Sequence, residues 1–308
     1  MIEVPETFIQ GTVAREGERG AAWVAELPTL VAELAERWAC VPDGDVLHGE
    51  VGVVVPVRRG DGTPAVLKVS FPHPGNVHEP DAFEAWGGRG AVRLYARDGD
   101  RYAMLLERAG TETLARCGDA DAMMTVAGRI GRRLAVPAPP ELPRLSDRAD
   151  EWEEQLLKDE EELAHALPRR AVGAALATVR ELGRTQPGTL VHGDLHAGNI
   201  LRAEREPWLA VDPKGYAGDP AYDAGAALKA HLLFLLAEDD LAGAVLRSMD
   251  LFAEAAELDR ERVRRWCQLA AVQGAFWARR NGFAAVRAGV GRDGIVVIAD
   301  RLVESLTP

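Results

Sequence analysis

The sequence predicts an α+β fold of two lobes, a β-rich N-terminal lobe followed by a larger, mainly helical C-terminal lobe. Three observations predict it. Short apolar runs separated by turn pairs crowd residues 47–109, and helical periodicity takes over from about Asp119. A compact hairpin near residue 200, with polar residues at both feet, interrupts the helices. The expected division is 1–107 and 108–308.

The elements follow in order. Residues 20–40, GAAWVAELPTLVAELAERWAC, read as helical. Trp23, Leu27, Leu30, Val31, Leu34 and Trp38 recur at three-four spacing along one face, with Pro28 as a break or restart. LHGEVGVVVPVRR, DGTPAVLKVSF, AVRLYARD and RYAMLLERA read as strands, punctuated by Asp61-Gly62 and Asp98-Gly99. A helix of roughly Glu79 to Trp86 lies among them. Helical patterns then run through DAMMTVAGRIGRRLA, DEWEEQLLKDEEELAHAL, RAVGAALATVRELG, AGAALKAHLLFLLA and ERVRRWCQLAAVQGAFWARRNG. VPAPPELPRL, 136–145, is a Pro-rich spacer.

Composition narrows the class. The 308 residues are 47% hydrophobic, ample for a sizeable core, and no apolar run reaches membrane-spanning length. The start MIEVPETFIQ lacks a basic segment leading into an apolar one, and the three cysteines, Cys40, Cys117 and Cys267, match no metal spacing. A cytoplasmic monomer is expected. With 36 basic against 48 acidic residues, the formal charge of −12 argues against a nucleic-acid partner and is compatible with a cationic small substrate.

The densest chemistry lies in LVHGDLHAGNILRAEREPWLAVDPKG, Leu190 to Gly215. Ile200-Leu201 and Trp208-Val211 read as two strands joined by a polar turn. Asn199 precedes the first strand and Asp212 follows the second, and antiparallel pairing brings such positions together. An amide oxygen and a carboxylate meeting beside water and phosphate oxygens suit Mg²⁺. Asp194 lies five residues before Asn199, the H-x-D-x-x-x-x-N spacing of kinase catalytic loops, in which the Asp accepts the attacking hydroxyl's proton. A competing reading makes His192, Asp194 and His196 zinc ligands of a metallohydrolase, although Gly193 and Gly198 favour a bent loop over a continuous strand.

The N-terminal half offers matching parts. Lys68, inside the apolar run Ala65–Val69, is either an edge-strand lysine or a cation for nucleotide phosphates. Glu79 shares a helical face with Ala82, Phe83 and Trp86 and is its expected partner, or else only a helix cap before Pro80. Gly49 and Gly52 sit in a turn whose backbone could fold over phosphates. Glu107 and Ala109, where the two textures meet, could offer backbone C=O and N–H groups to adenine.

Taken together, V-L-K, the helix ending in W-G-G, L-L-E-R, H-G-D-L-H-A-G-N, the later Asp and G-D-P-A-Y-D resemble the aminoglycoside/hydroxyurea phosphotransferases, closest to their streptomycin 6-kinase branch. The resemblance runs from about residue 20 to beyond 230. It implies a protein-kinase-like fold and ATP-dependent phosphorylation of an antibiotic hydroxyl, with antibiotic resistance as the outcome. By the same resemblance Asp194 is catalytic, Asn199 and Asp212 hold magnesium, and Lys68 with Glu79 anchors phosphate. His192 and Asp223 brace the catalytic loop, with help from Asp219. Only seven positions separate Asp212 from Asp219, too few for a phosphorylated activation loop. Kinases of other small alcohols, such as hydroxyurea, choline-like molecules or sugars, remain alternatives, as does a nucleotide-binding module without activity. The acidic run 150–162 reads as a solvated helix face or a source of substrate carboxylates.

Overall fold

The computed structural model describes residues 2–163, 166–235, 238–281 and 292–307. Positions 164–165, with His165, and the ends of two expected helices at 236–237 and 282 lie outside the described residues. The chain forms two compact units. The first holds residues up to Gly110 together with Ala203–Leu209, and the second holds the rest of the described chain from Thr111 onward.

The first unit is one helix laid on a sheet. α1 (Glu6–Arg37) is followed by β1 (Cys40–Pro42), β2 (Leu47–His48), β3 (Gly52–Arg59) and β4 (Pro64–Ser70). Then come α2 (Glu79–Trp86), β5 (Leu94–Asp98) and β6 (Ala103–Glu107). The strands pair antiparallel in the order β1-β3-β4-β6-β5, with β2 also on β3. Alternation decides which face is which. Val53, Val55, Val57, Ala65, Leu67 and Val69 bury one face against Phe8, Val24, Leu27, Val31 and Leu34 of α1. Lys68, out of phase with that set, stands between Val54 and Met104 on the other face.

Two expectations are corrected here. α1 continues through Pro28, and its interruption is at Gly17, where φ 63° and ψ −137° leave the helical region. Pro28 removes one helical N–H, yet Leu27 and Val31 beside it are buried in the core, and packing overrides the local preference. Gly17 has no Cβ to oppose the bend. Strand β1 was not foreseen, since Cys40–Pro42 shows no alternation of its own.

The second unit contains α3 (Ala120–Leu134), α4 (Ala149–Glu162), α5 (Arg169–Thr178, continued by a π-helical turn to Gly183) and β7 (Thr189–Val191). β8 (Ile200–Arg202), β9 (Trp208–Ala210, whose first two residues count with the first unit) and β10 (Tyr216–Gly218) follow, then α6 (Asp223–Leu235), α7 (Leu241–Ala256), α8 (Arg260–Asn281) and α9 (Arg292–Leu306). β8 and β9 form the expected hairpin, while β10 returns antiparallel to β7, a pairing the sequence did not announce. α3 packs on α7, and α8 lies against α5, α6 and α9. Helices α7 and α9 were also not expected, although Leu241, Val245, Met249, Phe252 and Ala256 of α7 recur at three-four spacing along its buried face. Among the described residues no helix is long and apolar enough to cross a membrane.

Candidate active site

Lys68 and Glu79 meet in the first unit. The Lys68 Nζ donates to Glu79 Oε1 at 2.5 Å, and Glu79 is 1% exposed. The helix cap residue is His78, so Glu79 faces the lysine rather than merely starting α2. Gly49 and Gly52 close the turn between β2 and β3, with the Gly49 N–H donating to Gly52 O at 2.9 Å. A Cβ at Gly52 would lie 2.8 Å from the Val69 carbonyl, so that glycine is already required by the approach of β4.

The Glu107 backbone N–H donates to the Arg93 carbonyl at 2.8 Å, which takes that N–H away from an adenine ligand. Its carboxylate receives Arg205 Nε at 2.9 Å and Arg205 Nη2 at 2.8 Å, a bidentate pair from the turn between β8 and β9. Arg205 also reaches the Ala91 carbonyl, and these bonds explain why 203–209 joins the first unit.

In the second unit, β7 delivers the chain into the loop 192–199. His192 is fully buried, its Nδ1 accepts the Asp194 N–H at 3.3 Å, and its Nε2 faces the Val211 carbonyl at 3.0 Å. The ring is therefore a neutral Nε2–H tautomer, and burial pushes its pKa down to about 3. This overturns the zinc reading: both His192 nitrogens are engaged, so it cannot join Asp194 and His196 in ligation. No group of three or more His, Cys, Asp or Glu side chains among the described residues could hold a metal by themselves.

The loop backbone is held from two sides. Asp223, the first residue of α6, accepts the His192 N–H at 2.9 Å and the Gly193 N–H at 2.7 Å. Burial pushes the Asp223 carboxyl up to about 7, against the lowering effect of those donors. Beneath the loop, Leu195 is buried against Gly131 of α3, a support that the sequence reading missed. Asp219 makes its hydrogen bonds elsewhere: to the Ala221 N–H at 3.0 Å, Arg262 Nε at 2.5 Å and Trp266 Nε1 at 2.6 Å. It ties the approach to α6 onto α8.

Asp194 and Asn199 are in contact. The Asn199 Nδ2 donates to the Asp194 carbonyl at 3.0 Å and to Asp194 Oδ2 at 3.3 Å. With its nitrogen so engaged, the amide presents Oδ1 as its donor to a cation. Asp212 follows β9 at φ 60°, an uncommon conformation for a residue with a side chain, and its Oδ2 lies 3.4 Å from Lys214 Nζ. One amide oxygen and one half-buried carboxylate suit a hard divalent ion whose other ligands are phosphate and water oxygens. Burial raises the Asp194 carboxyl above the usual range; His196 and Lys214 oppose that shift and Asp212 adds to it. His196 Nε2 lies 3.8 Å from Asp194 Oδ2.

Asp194 opens into a cavity of about 900 Å³. α4 supplies Trp152, Gln155 and Asp159 to its wall, and α8 supplies Trp277 and Arg280. The acidic run of α4 is thus not simply solvated. Trp152, Gln155 or Leu156, and Asp159 recur at three-four spacing and share the lining face, a signal present in the sequence.

A family model described as aminoglycoside/hydroxyurea antibiotic resistance kinase matches residues 37–282. A streptomycin 6-kinase of Streptomyces glaucescens is 40% identical over 288 residues, covering 93% of this chain and 94% of the relative. A hydroxyurea phosphotransferase of Kitasatospora aureofaciens is 38% identical over 290 residues, 93% of this chain and 83% of its own. Among solved structures, the amicoumacin kinase hAmiN, in complex with AMP-PNP, Ca²⁺ and Ami, aligns with a TM-score of 0.57 at 15% identity. That alignment covers 97% of this chain and 96% of hAmiN.

Proposed function

We propose a function from one premise: the chain belongs to the aminoglycoside/hydroxyurea antibiotic resistance kinase family. It is a small-molecule phosphotransferase with a kinase-like fold. The reading we favour is ATP-dependent phosphorylation of a hydroxyl on a streptomycin-like aminocyclitol, which would inactivate the antibiotic. The observation that carries it is the cavity of about 900 Å³ into which Asp194 opens. That volume is at the upper end for drug-sized ligands and far exceeds the need of a molecule as small as hydroxyurea.

In this reading Asp194 accepts the proton of the acceptor hydroxyl as its oxygen attacks the γ-phosphorus and the bond to the ADP oxygen breaks. The carboxyl, raised above the usual range by partial desolvation, is a better base for that proton. Asp223, His192 and Leu195 hold its backbone in place. Lys68, oriented by Glu79, is the cation for the nucleotide phosphates. The turn Gly49–Gly52 borders them, and the Glu107 carbonyl with the Ala109 N–H addresses adenine. Asn199 and Asp212 are the residues that would hold Mg²⁺, whose charge offsets that of the transferring phosphoryl group. The enzyme acts as a monomer in the cytoplasm, where ATP is supplied.

Purified protein incubated with ATP, Mg²⁺ and a panel of aminocyclitols, hydroxyurea and choline-like alcohols tests this. The expected product is streptomycin carrying one added phosphate by mass. Turnover confined to hydroxyurea or a choline-like alcohol would overturn the substrate assignment.

A further inference from the structure

Helix α2 carries Glu79 but has little to hold it. It is eight residues long and runs at its C-terminal end into Gly87 and Gly88, at φ 56° and 88°. Among the described elements it packs chiefly against β5. A helix this short is not stable by itself, so its setting is decided by tertiary contacts.

The register of the sheet supplies one such contact. Met104 of β6 lies opposite Lys68 of β4 on one side and opposite Arg97 of β5 on the other. Paired residues point to the same face, so Lys68, Met104 and Arg97 form one row. Its two cations stand about 10 Å apart, two strand spacings. Glu79 pairs with Lys68, and Arg97 Nη1 donates to Asp81 Oδ1 at 2.5 Å, while Nη2 lies 3.3 Å from Glu84 Oε2. Glu79 and Asp81 are two positions apart, about 200° around the helix axis. The two ion pairs therefore grip α2 from opposite sides and fix its rotation. His78 Nδ1, 3.0 Å from Asp81 Oδ2, engages the other oxygen of the same carboxylate.

A bulge in β5 creates this row. Leu94 lies opposite Leu106, yet Ala96 rather than Tyr95 lies opposite Leu105, so Tyr95 is the extra residue. Without it Arg97 would fall opposite Ala103, in the row of Val69 on the face buried against α1. The irregularity turns the arginine onto the α2 face, and bulges beside functional sites commonly re-aim a side chain in this way.

We propose that Arg97 is a positioning residue for nucleotide binding: through Asp81 and Glu84 it fixes the rotation of α2 so that Glu79 meets Lys68. The inference rests on the assignment of Lys68 to the nucleotide phosphates and adds what keeps its partner in place.

The test uses the full chain, with calorimetric titration of ATP and steady-state kinetics on streptomycin. Arg97→Gln should raise Kd and KM for ATP about three- to tenfold, the weight of a partly exposed cation shared by two carboxylates, and leave KM for streptomycin unchanged. Arg97→Lys, which keeps a charge for Asp81, should restore most of the affinity. Placed in a Glu79→Gln background, Arg97→Gln should add no further loss, because the pair it serves is already gone. Arg101→Gln, which removes an exposed ion pair with Glu33 of α1, should bind ATP as wild type does. A merely structural ion pair predicts a lower melting temperature with Kd for ATP unchanged, and that result overturns the proposal. So does an equal rise in Arg101→Gln, or a full additional loss in the Glu79→Gln background. If Arg97→Gln fails to fold, Asp81→Asn takes its place with the same expected rise, and an unchanged Kd there is equally fatal. Wild-type protein that binds no ATP removes the assignment of Lys68 as well. Normal ATP binding in wild type with an indifferent Arg97→Gln variant removes this inference only.

Discussion

Asp223 accepts the backbone N–H of His192 at 2.9 Å on one carboxylate oxygen and turns its other oxygen to the next N–H, that of Gly193. An asparagine could satisfy only one of them and would set an NH₂ against the other. Leaving a buried N–H without an acceptor costs about 1–3 kcal/mol. Asp223→Asn should lower the melting temperature and reduce kcat by about two orders of magnitude, the effect of a small misplacement of a catalytic group. Steady-state kinetics with wild-type kcat would remove Asp223 as the brace of the loop.

The same pair predicts a pH signature. His192 is held near 3, below its unfolded value, so its contribution to stability is present above about pH 6.5 and lost as pH falls toward 3. Asp223 is pushed up to about 7, so its folded form keeps a proton that the unfolded chain releases above about pH 4, and stability declines as pH rises toward 7. The two slopes oppose one another between about pH 4 and 6.5. Removing the carboxylate in Asp223→Asn should unmask the histidine, steepening the acid loss of stability by up to about 1.4 kcal/mol per pH unit. Urea titrations across that window check it; parallel profiles for variant and wild type would contradict it.

Asp194→Asn keeps the side chain's shape but loses the proton acceptor. Transfer should fall by about 10² to 10⁴, while ATP still binds with near-normal affinity. Rapid turnover in this variant would assign the chemistry to another group.

Lys68→Ala deprives the buried Glu79 of its ammonium, so it should both weaken productive ATP placement and destabilise the protein by about 3–5 kcal/mol. Adding Glu79→Gln should recover much of the stability and none of the activity. Recovery of activity in the double variant would show that Lys68 serves only to neutralise Glu79.

Gly193→Ala places a methyl where φ is +82° and where the new Cβ would lie 2.8 Å from the Tyr216 ring. Strain of about 1–3 kcal/mol should be relieved by displacing the loop. The expected result is a large loss of transfer with ATP binding retained. An alanine variant with full activity would show that the loop tolerates a different path.

Much of the site was legible because its parts are close in sequence or follow a simple period. Asp194 and Asn199 share one loop, Asp212 closes the adjoining hairpin, and Lys68 falls out of phase with Ala65, Leu67 and Val69 on one strand. Short-range order of this kind depends on few intervening residues. Pro28 misled because its local preference was outweighed by the burial of Leu27 and Val31. The partners of Asp219 were not legible, because Arg262 and Trp266 lie more than forty positions away.

By itself, then, the sequence determined the two kinds of architecture, the loop and hairpin that carry Asp194, Asn199 and Asp212, and the identity of the Lys68 partner. Each of these follows from alternation, helical spacing or a turn. Only the tertiary structure decided what surrounds Asp194. The cavity wall joins Asp159 of α4 to Arg280 of α8, 121 positions apart, and no periodicity links residues at that separation. Their meeting is set by how α8 packs among α5, α6 and α9, and so by the burial of whole helix faces.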